Sequence, residues 1–189
     1  MKKLIALLLV LVTVFAFAAC GNNNPTEGNT PADPTDPPVA AKTPYAGTLE
    51  ELLNKLVEKV PVEFMGGVMP IDLTDTSEDG LWMVKSFTGL ENGEKLTEAA
   101  VFEPMMGSIA YSLVTVRVKE GEDVQAVAQA MKNGIDTRKW ICVNADDLQV
   151  ATYCDVVMLI MVSSENGLAS QPYVDALKEI VGADLDSVI

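Results

Sequence analysis

Hydrophobic residues recur at helical spacing in three stretches of the chain, residues 49–60, 122–133 and 171–181. Thr48 and Glu51 have the spacing of a capping box at the start of the first stretch, and Pro61 ends it. Ser170 is in position to cap the start of the third stretch, and Gly182 follows its end. The pattern therefore predicts three helices.

Other stretches have the composition and the alternation of β-strands, namely residues 81–87, 96–102, 109–118, 148–153 and 156–162. The last of them, Val156 to Val162, is apolar on both faces, as expected for a central strand. Turns are expected near Asn92-Gly93 and near Tyr153-Cys154-Asp155. Because helices bracket runs of strands joined by short turns, we predict an α+β two-layer sandwich with a mostly antiparallel sheet of about four to five strands.

The first twenty residues have the layout of a secretory signal peptide. Lys2 and Lys3 precede an apolar run from Leu4 to Phe17, and small residues follow it. The run is shorter than the ~20 residues that a membrane-spanning helix needs. Export from the cytoplasm is therefore the expectation.

The end of this segment, Phe17-Ala18-Ala19-Cys20, resembles the lipobox of bacterial lipoproteins. Phe17 departs from the Leu, Val or Ile usual at that position. The resemblance implies a signal peptide over residues 1–19, a diacylglyceryl group on Cys20, and a protein that is extracytoplasmic and lipid-anchored to the cell membrane.

A proline-rich segment separates this cysteine from the rest of the chain. Residues 21–44 contain six of the ten prolines and have almost no large apolar side chain. Such a segment cannot bury enough apolar surface to fold, so we interpret residues 20–44 as the lipidated cysteine and a disordered tether. Residues 45–189 have the length of a single domain.

The composition excludes several functions. The chain has no histidine, which removes Ser-His-Asp, Cys-His and HExxH chemistry. Its net charge of −14 argues against nucleic acid as a partner. No P-loop or nucleophile motif occurs, so we predict a protein that is not an enzyme and needs no cofactor.

Six residues form a candidate binding patch, namely Glu103, Met105, Met106, Arg138, Lys139 and Trp140. Methionines beside a carboxylate could line a pocket, and cations beside a tryptophan suit a carboxylate or a sugar ring. Alternatively, the methionines fill space beneath a turn, Trp140 lies in the core, and the two cations pair with neighbours such as Asp136.

An acidic run contains Asp72, Asp75, Glu78 and Asp79. Carboxylates at short spacing can hold Ca²⁺, but these do not have the spacing of an EF-hand, so a solvated acidic loop is the favoured interpretation and no metal site is predicted.

Two cysteines, Cys142 and Cys154, remain besides the cysteine of the lipobox. Their spacing fits neither a CxxC motif nor a zinc site. We expect two buried free thiols, because Ile141 and Val143 flank Cys142 as in a core strand, and a disulfide is the alternative.

Four uncommon sequence segments follow one another between residues 94 and 164. They are Glu103-Pro104-Met105-Met106-Gly107-Ser108-Ile109-Ala110-Tyr111-Ser112, Val114 to Val118, Arg138-Lys139-Trp140-Ile141-Cys142-Val143, and Val156 to Ser163. In these the chain resembles a family of uncharacterised lipoproteins of Gram-positive bacteria, domain-of-unknown-function 4358. The resemblance implies a location at the cell surface and no particular reaction.

Two functions remain open. The first is a non-enzymatic interaction module that binds an envelope protein or a cell-wall component through an exposed face or edge of the sheet. The second is a receptor for a saccharide or wall fragment, or a carboxylate-based hydrolase. It requires a pocket near Glu103 and Trp140, lined by methionine, with a carboxyl group of raised pKa.

Overall fold

A six-stranded antiparallel sheet runs through the computed structural model, which describes residues 42–189. The strands are β1 (Gly66–Pro70), β2 (Leu96–Pro104), β3 (Tyr111–Val118), β4 (Asp147–Tyr153), β5 (Val156–Val162) and β6 (Ser187–Val188). They lie in the order β1-β2-β3-β5-β4-β6, and every neighbouring pair is antiparallel. The α+β class and the antiparallel sheet are therefore confirmed, with one strand more than the upper expectation.

Four α-helices cover the sheet, together with one short 3₁₀ turn at Ser164–Asn166. The helices are α1 (Leu49–Lys59), α2 (Glu78–Thr88), α3 (Val124–Gly134) and α4 (Gln171–Val181). The capping box of α1 forms as predicted, with Thr48 accepting from the backbone of Glu51 and Glu51 accepting from the backbone of Thr48. Gly182 ends α4 in the left-handed conformation, also as predicted.

The domain has three layers, which corrects the expected two. Leucines of α1 and residues of α4 pack on one face of the sheet, against Leu113 and Ile160 among others. Residues of α2 and α3 pack on the other face, against Val114 and Leu159. The strand residues alternate between these two cores, and both sets are apolar. Neither face of the sheet is free, so the interaction module cannot bind through a sheet face.

One predicted strand is a helix. Residues 81–87 lie within α2, where Ser77 caps the first turn through the backbone N–H of Gly80 and Gly89 ends the helix with φ of 76°. A mostly apolar run of seven residues, interrupted only by Lys85 and Ser86, fits either structure by periodicity alone, and the flanking caps decide for the helix.

Arg117 ties the start of the described chain to the sheet. Its guanidinium donates to Glu98 Oε2 at 3.1 Å and to Asp155 Oδ2 at 3.0 Å. It also donates to the backbone oxygens of Tyr45 and Gly47, at 3.2 and 2.8 Å. Four acceptors around one planar cation form a rigid clamp between the residues before α1 and the ends of three strands.

Some predictions fall on residues that the structure does not describe. The signal peptide over residues 1–19, the lipidation of Cys20 and the tether up to residue 41 lie outside the described residues. Among residues 42–189, no helix has the length and hydropathy that crossing a membrane requires.

Candidate functional site

A pocket of about 550 Å³ opens beside α2, at the end of the sheet where β2 finishes and β3 begins. Its walls come from α2, from the end of β2 and from the segment that follows α3. The lining residues are Trp82, Lys85, Ser86, Phe87, Glu103, Gly134, Asp136, Lys139 and Trp140. Both tryptophans of the chain are in this set.

Helix α2 presents an aromatic residue to the pocket because its other face is buried. Gly80, Val84 and Thr88 follow one another at four-residue spacing and face the core. Trp82 is therefore turned outward, and 65% of its surface is exposed. A tryptophan this exposed beside a concave surface is typical of a binding site, because burying it against a ligand releases a large apolar area.

The floor of the pocket contains an ion pair. Lys139 Nζ lies 2.5 Å from Glu103 Oε1, and the two side chains are only 11% and 16% exposed. Nζ also donates to the backbone oxygen of Ser86 at 3.1 Å and to Ser112 Oγ at 3.2 Å. The ammonium therefore makes two hydrogen bonds besides its ion-pair contact with the carboxylate.

Burial lowers the pKa of Lys139, and the Glu103 carboxylate opposes that shift. The lysine is thus a structural cation that joins α2, β2 and β3. The contact with Lys139 uses only one of the two carboxylate oxygens of Glu103.

Aromatic rings enclose this cation. The centroid of Phe87 lies 4.8 Å from Lys139 Nζ, and that of Trp140 lies 5.4 Å away. Trp140 packs against the core beneath α2 and α3, and its buried Nε1 has no hydrogen-bond partner within residues 42–189. The indole is held by packing and by the cation, and not by a polar anchor.

Three of the six predicted patch residues meet in this pocket, namely Glu103, Lys139 and Trp140. The expected pairing of Lys139 with Asp136 is wrong, since its partner is Glu103. Arg138 is exposed beside the pocket, and its backbone N–H donates to Asp136 Oδ1 at 2.8 Å. It belongs to the turn before the pocket and not to the lining.

The two methionines of the predicted patch lie on a separate surface. Met105 and Met106 are 74% and 56% exposed, so they neither fill a gap nor line the pocket. Met65 and Ile141, at 77% and 74% exposure, lie beside them. Backbone bonds from Met105 N to Met65 O and from Ile141 N to Gly107 O hold this surface together.

Sequence reasoning missed the residues that α2 supplies, Trp82, Lys85, Ser86 and Phe87. Once residues 81–87 are assigned to a strand, Trp82 and Ser86 share a face but lie about 13 Å apart, whereas on a helix they are adjacent. The spacing of Ser77 and Gly89 could have indicated a helix of 11 residues between them, and with it this face.

The acidic run is exposed, as the solvated-loop interpretation predicted. Asp72 Oδ1 accepts from the backbone and hydroxyl of Thr74, and Asp75 Oδ1 accepts from the backbone of Ser77. These hydrogen bonds lower the pKa of both carboxyl groups. Glu78 and Asp79 form the first turn of α2, where negative charge stabilises a helix.

The two cysteines are free, but they are not buried as expected. Cys142 is exposed and Cys154 is half-buried, because each lies in a turn with positive φ and not in a strand. Ile141, taken for a core residue beside Cys142, points into solvent. The fixed turns explain why an apolar sequence here does not enter the core.

No family model, no curated protein and no solved structure matches the chain. The resemblance to the uncharacterised lipoproteins therefore stays a prediction.

Proposed function

We propose that this protein is a lipid-anchored binding module of the cell envelope, held outside the membrane by Cys20, and that it binds a wall component or an envelope protein at the pocket beside α2. The observation that carries the proposal is the exposed Trp82 above a floor whose charges are already paired. A site of this kind gains free energy by covering aromatic surface and does not have to desolvate an unpaired charge.

The saccharide receptor remains as the second candidate, and the pocket near Glu103 and Trp140 favours it. Tryptophan rings stack on sugar rings, and a free carboxylate oxygen accepts hydrogen bonds from hydroxyl groups. The methionine lining expected for such a receptor is wrong, because no methionine lines the pocket. Its hydrolase form has no support in the described residues, where every carboxyl group whose pKa is displaced has it lowered.

Tryptophan fluorescence tests the proposal directly, because both indoles lie at the pocket. We expect muropeptides or a saccharide panel to change the emission of the chain purified in detergent. Trp82→Ala should abolish binding, whereas Leu81→Ala, one residue away and outside the lining, should leave the affinity unchanged. Binding that survives the loss of Trp82 would refute the site.

Lipidation is tested separately by feeding cells an alkyne-bearing fatty acid. We expect the chain to take up the label and Cys20→Ser to lose it. A labelled Cys20→Ser protein would contradict the proposed anchor.

A further inference from the structure

The open edge of β1 is a second surface at which the protein can bind a partner. The inference drawn from it rests on the proposed function and specifies the chemistry of that partner. β1 is the outermost strand, and within residues 42–189 nothing pairs with its outer side. Edge strands in monomeric proteins are usually protected by charged residues, by proline, by bulges, by short length or by a covering element. β1 has the sequence Gly-Gly-Val-Met-Pro and contains no charge, and its proline is the last residue, so the backbone N–H groups of Gly66 and Val68 remain.

Two backbone bonds show which groups face outward. Met105 N donates to Met65 O, and Ile71 N donates to Ala99 O, so the odd-numbered residues turn their backbone groups towards β2. Because this direction alternates along a strand, Gly66 and Val68 turn their N–H and C=O groups away from the sheet. Four backbone hydrogen-bonding groups in register are a template for one more strand.

Open space adjoins this edge on the side of the pocket. Gly67 pairs with Glu103, so the two residues share a face of the sheet. A Cβ atom at Gly67 would meet nothing within 4 Å. A side chain of an added strand that passes over Gly67 would therefore come next to the carboxylate that lines the pocket.

The charges around β1 indicate which kind of side chain a partner strand should have. From residue 60 to residue 84 the chain has five acidic residues and no Lys or Arg, and exposed acids flank β1 on both sides, Glu63 before it and Asp72 after it. Met65 and Met69 are exposed between them. This combination complements basic and apolar side chains, whereas a second copy of the chain would place like charges together.

We propose that β1 binds an extended basic polypeptide segment as a seventh strand. A Lys or Arg side chain would pass over the open space at Gly67 towards Glu103 and the Trp82 ring, and the neighbouring basic residues on that face would lay their apolar stems over Met65 and Met69. The alternate, apolar residues of the segment would lie on the face of Val68. Backbone pairing supplies affinity, and the carboxylate and the ring supply the preference for a cation.

A labelled Lys-Val-Lys-Val-Lys-Val peptide, followed by fluorescence anisotropy with the full chain in detergent, tests this inference. We expect the peptide to bind, more weakly as salt rises. The same peptide with Glu for Lys, and the same peptide methylated at every backbone nitrogen, should not bind. Equal binding of the methylated peptide would overturn strand addition, and equal binding of the Glu peptide would overturn the charge argument.

Gly67→Lys places a competing cation in the open space, and we expect it to weaken peptide binding at least about tenfold. Val188→Lys puts the same residue on β6, the opposite edge strand, and should change the affinity less than about twofold. Circular dichroism shows whether both variants keep the fold. Equal loss in the two variants would overturn the assignment to β1.

The outcome separates this inference from the proposed function. Muropeptide or saccharide binding at the tryptophans without any peptide binding would overturn the basic strand and leave the function standing. Self-association through β1 in sedimentation, abolished by Gly67→Lys, would assign the edge to a second copy and also overturn the inference. If no probe changes the tryptophan emission or the anisotropy, both proposals fail.

Discussion

The ammonium of Lys139 lies 4.8 Å from the centroid of the Phe87 ring, so a cation from the segment after α3 is held under a ring from α2. This contact joins two elements that are distant in the sequence, and the ion pair with Glu103 adds a third. These contacts of Lys139 therefore cross-link three elements at the floor of the pocket. Removing them should lower the stability of the whole domain.

We predict that Lys139→Met lowers the free energy of unfolding by about 3 kcal/mol, because it leaves the Glu103 carboxylate, only 16% exposed, without its partner. Adding Glu103→Gln should recover part of the loss. Arg138→Met is the matched control, since its side chain is exposed, and should change stability by less than about 0.5 kcal/mol. Urea unfolding measures all four proteins, and equal effects at the two positions would contradict the role of the ion pair.

The two tryptophans should differ in their access to a dissolved quencher. Trp82 is 65% exposed, whereas the indole nitrogen of Trp140 is buried. Iodide should therefore quench Trp140→Phe, which retains Trp82, far more strongly than Trp82→Phe. Unfolding both variants in guanidinium provides the control, because the difference should then disappear. Equal quenching in the folded proteins would show that Trp82 is covered.

Gly89 and Gly182 allow the cost of close packing to be separated from the cost of backbone strain. Both end a helix in the left-handed conformation, with φ of 76° and 67°. A Cβ at Gly182 meets nothing within 4 Å, so Gly182→Ala should cost only about 1–2 kcal/mol.

A Cβ at Gly89 would lie 2.5 Å from the backbone nitrogen of Ile135, where the ends of α2 and α3 touch. We therefore expect Gly89→Ala to cost clearly more than Gly182→Ala in thermal unfolding. Equal costs would mean that the two helix ends can move apart freely.

Asp146 should make stability depend on acidic pH. The Ser164 hydroxyl and backbone N–H donate to its carboxylate at 2.5 and 2.7 Å, and both bonds lower its pKa. A carboxyl group with a lowered pKa in the folded state binds fewer protons than in the unfolded chain. Its stabilising contribution is thus complete above the unfolded pKa, about 3.9, and is lost as the pH falls through the folded value.

The measurement is acid unfolding of the wild type, Asp146→Asn and Ser164→Ala. Asp146→Asn should be less stable at neutral pH and should lose less stability on acidification. Ser164→Ala should raise the pKa of Asp146, as seen by carbon NMR of its carboxyl group. An unchanged pKa in Ser164→Ala would contradict the assigned cause.

The two thiols of the described domain should react at different rates. Cys142 is exposed, whereas Cys154 is half-buried and burial raises its pKa. We expect Cys142 to react with a maleimide at neutral pH at least about tenfold faster, since the thiolate is the reacting form. Cys142→Ser and Cys154→Ser assign the two phases, and a single fast phase in Cys142→Ser would contradict the prediction.

Sequence periodicity located the elements whose two sides differ clearly. The helices α1 and α3 have an apolar stripe, α1 begins with the expected capping box, and Val156–Val162 is apolar throughout because both of its faces are buried. Residues 81–87 were misassigned because α2 exposes Leu81, Trp82 and Met83. A helix that leaves large apolar residues in solvent does not show the amphipathic pattern.

β1 and β6 were missed for a different reason. Two glycines and a proline make up most of Gly66–Pro70, and these residues disfavour a strand in isolation. Pairing with β2 over five residues overrides that preference, and a single sequence does not show such pairing. Three of the nine residues that line the pocket were predictable, because Glu103, Lys139 and Trp140 stand in uncommon local sequences. The residues that α2 contributes are brought to them by the tertiary fold, which a single sequence does not show.

The clamp around Arg117 places the point where the chain enters the domain at the opposite end from the pocket. It holds Tyr45 and Gly47 at the end of β3 opposite to Ser112, the residue beside the pocket floor, and β3 spans about 25 Å at ~3.3 Å per residue. Under the proposed anchoring through Cys20, the chain would enter the domain at one pole and the pocket would lie at the other. Tension on that anchor would load the contacts of Lys42 with Asp186 and of Thr43 with Tyr153 before it reached the guanidinium of Arg117.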